Sequence, residues 1–126
     1  MQKRPWLIAA FATVLWLGIW FCLGGAKAES ARSPAVVMLG DSITAAADWN
    51  ALLPSFDVAN RGTSGDTTED VLGRIENIVA MHPRCVAVMI GVNDLLKKRN
   101  VQQVLKNYAA IVENCADNQA VVYTST

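Results

Sequence analysis

Beyond residue 30 the chain alternates short, almost unbroken apolar runs with longer stretches that are apolar only at every third or fourth position. Ala35 to Leu39, Phe56 to Asn60, Cys85 to Ile90 and Ala120 to Thr124 are short and rich in β-branched residues, which predicts four strands. Strands this apolar belong to a sheet covered on both faces, and helical stretches between them supply parallel crossovers. The fold class is therefore α/β, a doubly wound parallel sheet. Such a sheet normally closes with a further strand and helix, whereas the fourth run here reaches almost to Thr126, so the sheet is expected to be incomplete at its C-terminus.

The helical stretches are recognised by spacing. Between Asp66 and Ala80, Val71, Leu72, Ile75, Ile78 and Val79 form one apolar stripe, Thr67 and Asp70 have capping-box spacing, and His82-Pro83 ends the helix. A second helix opens with Asn100 as cap, Gln103 reaching back, and is expected to bury Val101, Val104, Leu105, Tyr108, Ile111, Val112 and Cys115. A shorter one is predicted over Ala46 to Leu53, stopped by Pro54.

Ligands of such sheets bind outside the carboxyl ends of the strands. There the sequence places Gly40-Asp41-Ser42 after the first strand, Asn60-Arg61-Gly62-Thr63-Ser64-Gly65 after the second, and Gly91-Val92-Asn93-Asp94 after the third. Gly40 permits a sharp exit that swings Ser42 over the sheet edge. Gly62 can offer a bare N–H, and Asn93 adds a side-chain NH₂. A hydroxyl with several preorganised donors suits acyl transfer, where a nucleophile attacks a carbonyl whose oxygen becomes negative.

These three blocks, in this order and at these strand ends, resemble the first three blocks of the GDSL/SGNH hydrolase family. The resemblance covers nearly the whole chain after its first 28 residues. It implies a flavodoxin-like sheet, with Ser42 as nucleophile and the Ser42 N–H, the Gly62 N–H and the Asn93 side chain as oxyanion hole. It further implies a small-molecule, lipid or carbohydrate ester as substrate, and no metal or organic cofactor. The family's last block, an Asp-x-x-His that supplies the general base, has no counterpart. The one histidine, His82, has Val79 three positions before it and leads into the third strand, at the opposite rim from Ser42. The chain as given is thus expected to hydrolyse esters weakly or not at all, and to be the N-terminal part, residues 29–126, of such a hydrolase domain. A non-catalytic module binding a glycan or acyl ligand is the alternative. A phosphate-binding reading of "GTSGDTT" fails because no Walker lysine follows the glycines.

Asp41, Trp49 and Asp94 are further candidates for contact with substrate. The two carboxylates lack the additional ligands a metal site needs and suit holding loops by hydrogen bonds. Trp49 suits either a pocket wall or the core. Cys85 and Cys115 fall at the same rim, where a disulfide and two ordinary thiols are both compatible with the spacing.

Residues 1–28 read as a leader. Lys3 and Arg4 precede an uncharged apolar run of 20 residues from Trp6 to Gly25, followed by Ala26-Lys27-Ala28. The run is long enough for a membrane anchor as well as a signal peptide. Either way the basic end stays cytoplasmic and the domain is expected to be exported, to a periplasmic or extracellular site. Without the leader, eight basic residues face eleven acidic ones, and no basic stripe tracks a nucleic-acid backbone. Lys97-Lys98-Arg99 reads as a solvated loop.

Overall fold

The computed structural model describes residues 33–125. The predicted leader or anchor lies outside them, and among the described residues no helix is long and apolar enough to cross a membrane. Ser33–Thr126 forms one compact unit.

Four parallel strands, β1 (Val36–Gly40), β2 (Val58–Gly62), β3 (Cys85–Met89) and β4 (Val121–Thr124), make a sheet of order β2-β1-β3-β4. The chain leaves β1 toward β2 on one side and returns to β3 on the other. A switch point therefore lies between the carboxyl ends of β1 and β3.

Alternation along the strands sends Val37, Leu39, Val86 and Val88 to one face, where they are fully buried with Val71, Ile75, Ile78, Ile111 and Cys115. That face is covered by α3 (Thr68–Gly73), α4 (Ile75–Val79) and α6 (Val101–Asp117). The predicted capping box at Thr67 and Asp70 is present. Asn100 caps α6 as expected, accepting the Gln103 N–H, but the Gln103 side chain turns forward to Asn107.

Several boundaries differ from the sequence reading. The helix expected over Asp66 to Ala80 is two, broken at Arg74 (φ −117°, ψ 12°), directly after the weak helix former Gly73. The helix expected over Ala46 to Leu53 is α1 (Ser42–Ala46) followed by α2 (Trp49–Leu52), capped by Asp41 and Asp48. A further short helix, α5 (Val92–Leu96), was not predicted.

On the sheet's other face α1 and α2 lie near β1 and β2. Met38, Trp49, Ala87, Met89 and Tyr123 line an open apolar hollow there, and Tyr123 is 64% exposed. Cys85 belongs to this half-open face, whereas Cys115 is buried on the other, so the sheet separates two free thiols. Burial pushes both thiols up from the usual range.

Candidate active site

In register, Gly40 pairs with Gly62 on one side and Met89 on the other, so β1, β2 and β3 end in one row. Ser42 follows that row by two residues, as the exposed first residue of α1. Asp41 sets it there. Its carboxylate, only 1% exposed, accepts the Ile43 N–H at 3.0 Å, and its carbonyl accepts the Ala45 N–H at 2.9 Å.

Asn93, the second residue of α5, is brought to the same edge. Its Nδ2 donates to the Asp66 carbonyl at 2.9 Å. An amide NH₂ carries two hydrogens, so one donor remains for a ligand. The neighbouring Asp94 points inward, 2% exposed, with one oxygen accepting the Thr68 N–H at 2.9 Å and the other the Thr68 hydroxyl at 2.8 Å. The Thr68 hydroxyl in turn accepts from Asn107 Nδ2 at 3.3 Å, and Asn107 Oδ1 accepts from Gln103 at 2.8 Å. Asp41 and Asp94 are thereby fixed as loop holders, their carboxylates spent on neighbouring donors rather than turned toward a ligand.

Gly62 has a different task from the one its position suggested. Its N–H donates to Asn60 Oδ1 at 2.9 Å, while Asn60 Nδ2 donates to the carbonyls of Thr44 at 3.1 Å and Ala45 at 3.2 Å. A Cβ on Gly62 would run into the Ala45 nitrogen and lie 2.7 Å from both Ala45 Cα and the Thr44 carbonyl carbon. Gly62 makes room for α1, and its N–H is already committed.

A donor left over in this loop belongs to Gly65. This residue sits at φ +82°, its N–H has no hydrogen-bond partner among the described residues, and its carbonyl accepts from Lys97 Nζ at 3.2 Å. Asn93 and Lys97, one helical turn apart, thus hold two successive carbonyls of the loop. The sequence reading named Gly62 as the bare donor, whereas the structure commits the Gly62 N–H to Asn60 and leaves that of Gly65 without a partner among the described residues.

One other residue, Arg74, escaped the sequence reading. Arg74 Nε donates to Asp66 Oδ2 at 2.9 Å, and its NH2 group donates to the carbonyls of Arg61 at 3.0 Å and Gly40 at 3.3 Å, tying the ends of β1 and β2 together. Thr67 holds Asp70: its hydroxyl and then its N–H keep the Asp70 carboxyl below the usual carboxylate range.

Trp49 is half-buried, its Nε1 donating to the Thr44 carbonyl at 2.8 Å and its ring lining the apolar hollow on the open sheet face. His82, at φ 49°, sits just before β3 beside Asp117, Asn118 and Gln119, which precede β4. That is the amino edge of the sheet, the far side from Ser42, as the sequence indicated.

The comparison that decides the relationship is with protein families. The profile of the GDSL-like lipase/acylhydrolase family matches residues 38–126, from β1 through β4. The chain belongs to that family. It is 30% identical over 124 residues to an arylesterase of Vibrio mimicus, covering 86% of this chain and 60% of the relative. It is 32% identical over 98 residues to thioesterase 1/protease 1/lysophospholipase L1 of Escherichia coli (strain K12), covering 68% of this chain and 47% of that one. The chain thus spans between about half and three-fifths of these relatives' lengths. A crystal structure of TesA overlays with a TM-score of 0.64 at 30% identity, over 71% of this chain and 58% of that chain. The SGNH-hydrolase esterase AlinE4 overlays with the same TM-score at 25% identity. The flavodoxin-like sheet of the SGNH hydrolases is the fold of this family member.

Proposed function

We propose that this family member carries the nucleophile and oxyanion half of an ester-hydrolysing site. Ser42 Oγ attacks the acyl carbon, the alcohol leaves, and water releases the acyl group from the serine. The carbonyl oxygen is received by the Ser42 N–H, the second Asn93 Nδ2 hydrogen and the Gly65 N–H, which replaces Gly62 in that role. One observation carries the reading: at the β1/β3 switch point an exposed hydroxyl starts α1, at the same sheet edge as a loop in which two carbonyls are held by Asn93 and Lys97 while the Gly65 N–H stays free. The names of the relatives support a carboxylic or thioester of a small molecule or lipid as substrate.

The serine proton needs an acceptor within hydrogen-bond reach. His82, the chain's one histidine, is at the other edge, so the 126-residue chain alone is a weak esterase or an inactive one. Domain boundaries follow the same reading: residues 29–126 form part of a hydrolase domain, and 1–28 direct its export by cleavage or as an anchor.

A short-chain p-nitrophenyl ester tests this, assayed with and without added imidazole as an external base. Turnover should be slight without imidazole and should rise with it in the parent chain, but not in Ser42→Ala beyond the free imidazole rate. Asn93→Ala should lower the stimulated rate about a hundredfold, the usual cost of one oxyanion donor. Equal rates in the parent and Ser42→Ala remove the serine from the chemistry and favour the binding-module reading, which the lack of a nearby base also supports. Strong turnover without imidazole refutes the missing base.

A further inference from the structure

The periodicity of α6 assigned Val101 and Leu105 to its buried stripe, yet they are 55% and 59% exposed. They are not isolated. On α5, which carries Asn93, Val92 is 44%, Leu95 64% and Leu96 74% exposed. Val92 with Leu96, and Val101 with Leu105, each stand one turn apart, so two aliphatic rows flank the basic run Lys97-Lys98-Arg99. Ile43, beside Ser42 on the same sheet edge, is 59% exposed.

The basic run keeps its charge. Lys97 is bonded to a neutral carbonyl, Lys98 has no partner among the described residues, and Arg99 meets Glu69 at 3.9 Å with both side chains more than half exposed, a pairing of little strength. Glu69 and Asp70 are the opposing acids nearby.

We propose that this face, α5 with the first turns of α6, docks onto an anionic lipid surface and presents the Ser42 site to esters held there. The proposal rests on the ester-hydrolysing reading for its purpose, but not for its test. A lipid surface fits better than a protein partner because the patch is aliphatic throughout. Protein interfaces draw their anchors from Trp, Tyr, Phe and Arg set in fitted pockets, whereas exposed leucines beside lysine and arginine are the composition of segments that lie in a membrane interface. The docking face is also continuous with the site, since α5 supplies Asn93.

The test is hydrogen–deuterium exchange of the full chain with phosphatidylglycerol or phosphatidylcholine vesicles. The apolar run Trp6 to Gly25 is common to every sample, so the comparison reads the domain and not the leader. Peptides spanning residues 92–105 should gain protection on phosphatidylglycerol and not on phosphatidylcholine. Leu95→Asp/Leu96→Asp should abolish that gain without changing the melting temperature. Lys98→Ala and Arg99→Ala should each weaken it about fivefold, as for basic residues at an anionic membrane. Ser42→Ala should dock like the parent, so a failed hydrolase reading leaves this result intact. Equal protection on both lipids, none over residues 92–105 on phosphatidylglycerol, or a gain unchanged in the aspartate variant would overturn the proposal.

Discussion

Gly62→Ala separates two roles for one residue. An alanine keeps the backbone N–H, so a glycine needed only as a donor would tolerate the change. The structure instead puts the new Cβ against the Ala45 nitrogen and 2.7 Å from Ala45 Cα and the Thr44 carbonyl carbon, all backbone atoms that cannot rotate aside. α1 has little freedom to withdraw, because Asn60 holds the Thr44 and Ala45 carbonyls and Asp41 caps the other end. Overpacking costs about 1–3 kcal/mol where side chains give way, so an obstruction made of backbone belongs at the upper end, about 3 kcal/mol. For a unit of this size, with a urea slope of about 1 kcal/mol/M, the unfolding midpoint should fall by about 3 M. Gly65→Ala is the control: nothing lies within 4 Å of its Cβ, and the positive φ alone costs about 1–2 kcal/mol. Urea titration of the full chain by far-ultraviolet circular dichroism reads both. A Gly62→Ala midpoint equal to the parent's, or above that of Gly65→Ala, refutes the packing argument.

Asp94→Ala strands the buried N–H and hydroxyl of Thr68 and should destabilise the domain by about 3 kcal/mol, seen as a lower urea midpoint; an unchanged midpoint would mean that solvent replaces the carboxylate. The Asp70 carboxyl titrates lower in the folded chain than unfolded, so its stabilising effect is complete above about pH 4 and disappears as pH falls through the folded value. Asp70→Asn should therefore flatten the acid limb of the melting-temperature profile, and superimposable limbs would contradict this. The open sheet face favours self-association, so gel filtration should show concentration-dependent species that Tyr123→Glu reduces; a parent chain that elutes as one compact monomer at all concentrations counts against it.

The parallel sheet was legible because its strands are near-continuously apolar, and the carboxyl-edge loops because glycine and small polar residues follow three of them directly. The capping box at Thr67 and the cap at Asn100 were equally plain, since each is a local pattern of a few residues. What stayed hidden depends on partners distant in sequence. The break at Arg74 coincides with a guanidinium reaching Asp66, Gly40 and Arg61, which no periodicity encodes. The choice between Gly62 and Gly65 turned on where Asn60 sends its side chain. Val101 and Leu105 fit the helical stripe and are still exposed, because a 3.6-residue period says which face is apolar and not how far the neighbouring elements extend over it.

On the proposed reading Ser42 has no base beside it among the described residues, and the rim carboxylates explain why no substitute is at hand. Asp41 caps α1, Asp66 is paired with Arg74, Asp70 is held by Thr67, and Asp94 by Thr68. Each of these four acids is thus occupied in fixing a loop or a helix start, and freeing one to take the Ser42 proton would loosen the contact it makes. On that reading the bonds that fix the donor loops also occupy these carboxylates. Parallel topology adds the other half of the constraint: a helix leaving the carboxyl edge must return to the amino edge, so His82, at the end of the descent from α4 into β3, is kept a strand's length away. Substituting a rim aspartate by histidine should consequently damage donor geometry before it helps proton transfer, whereas a diffusible imidazole reaches the exposed Ser42 without disturbing any of these contacts.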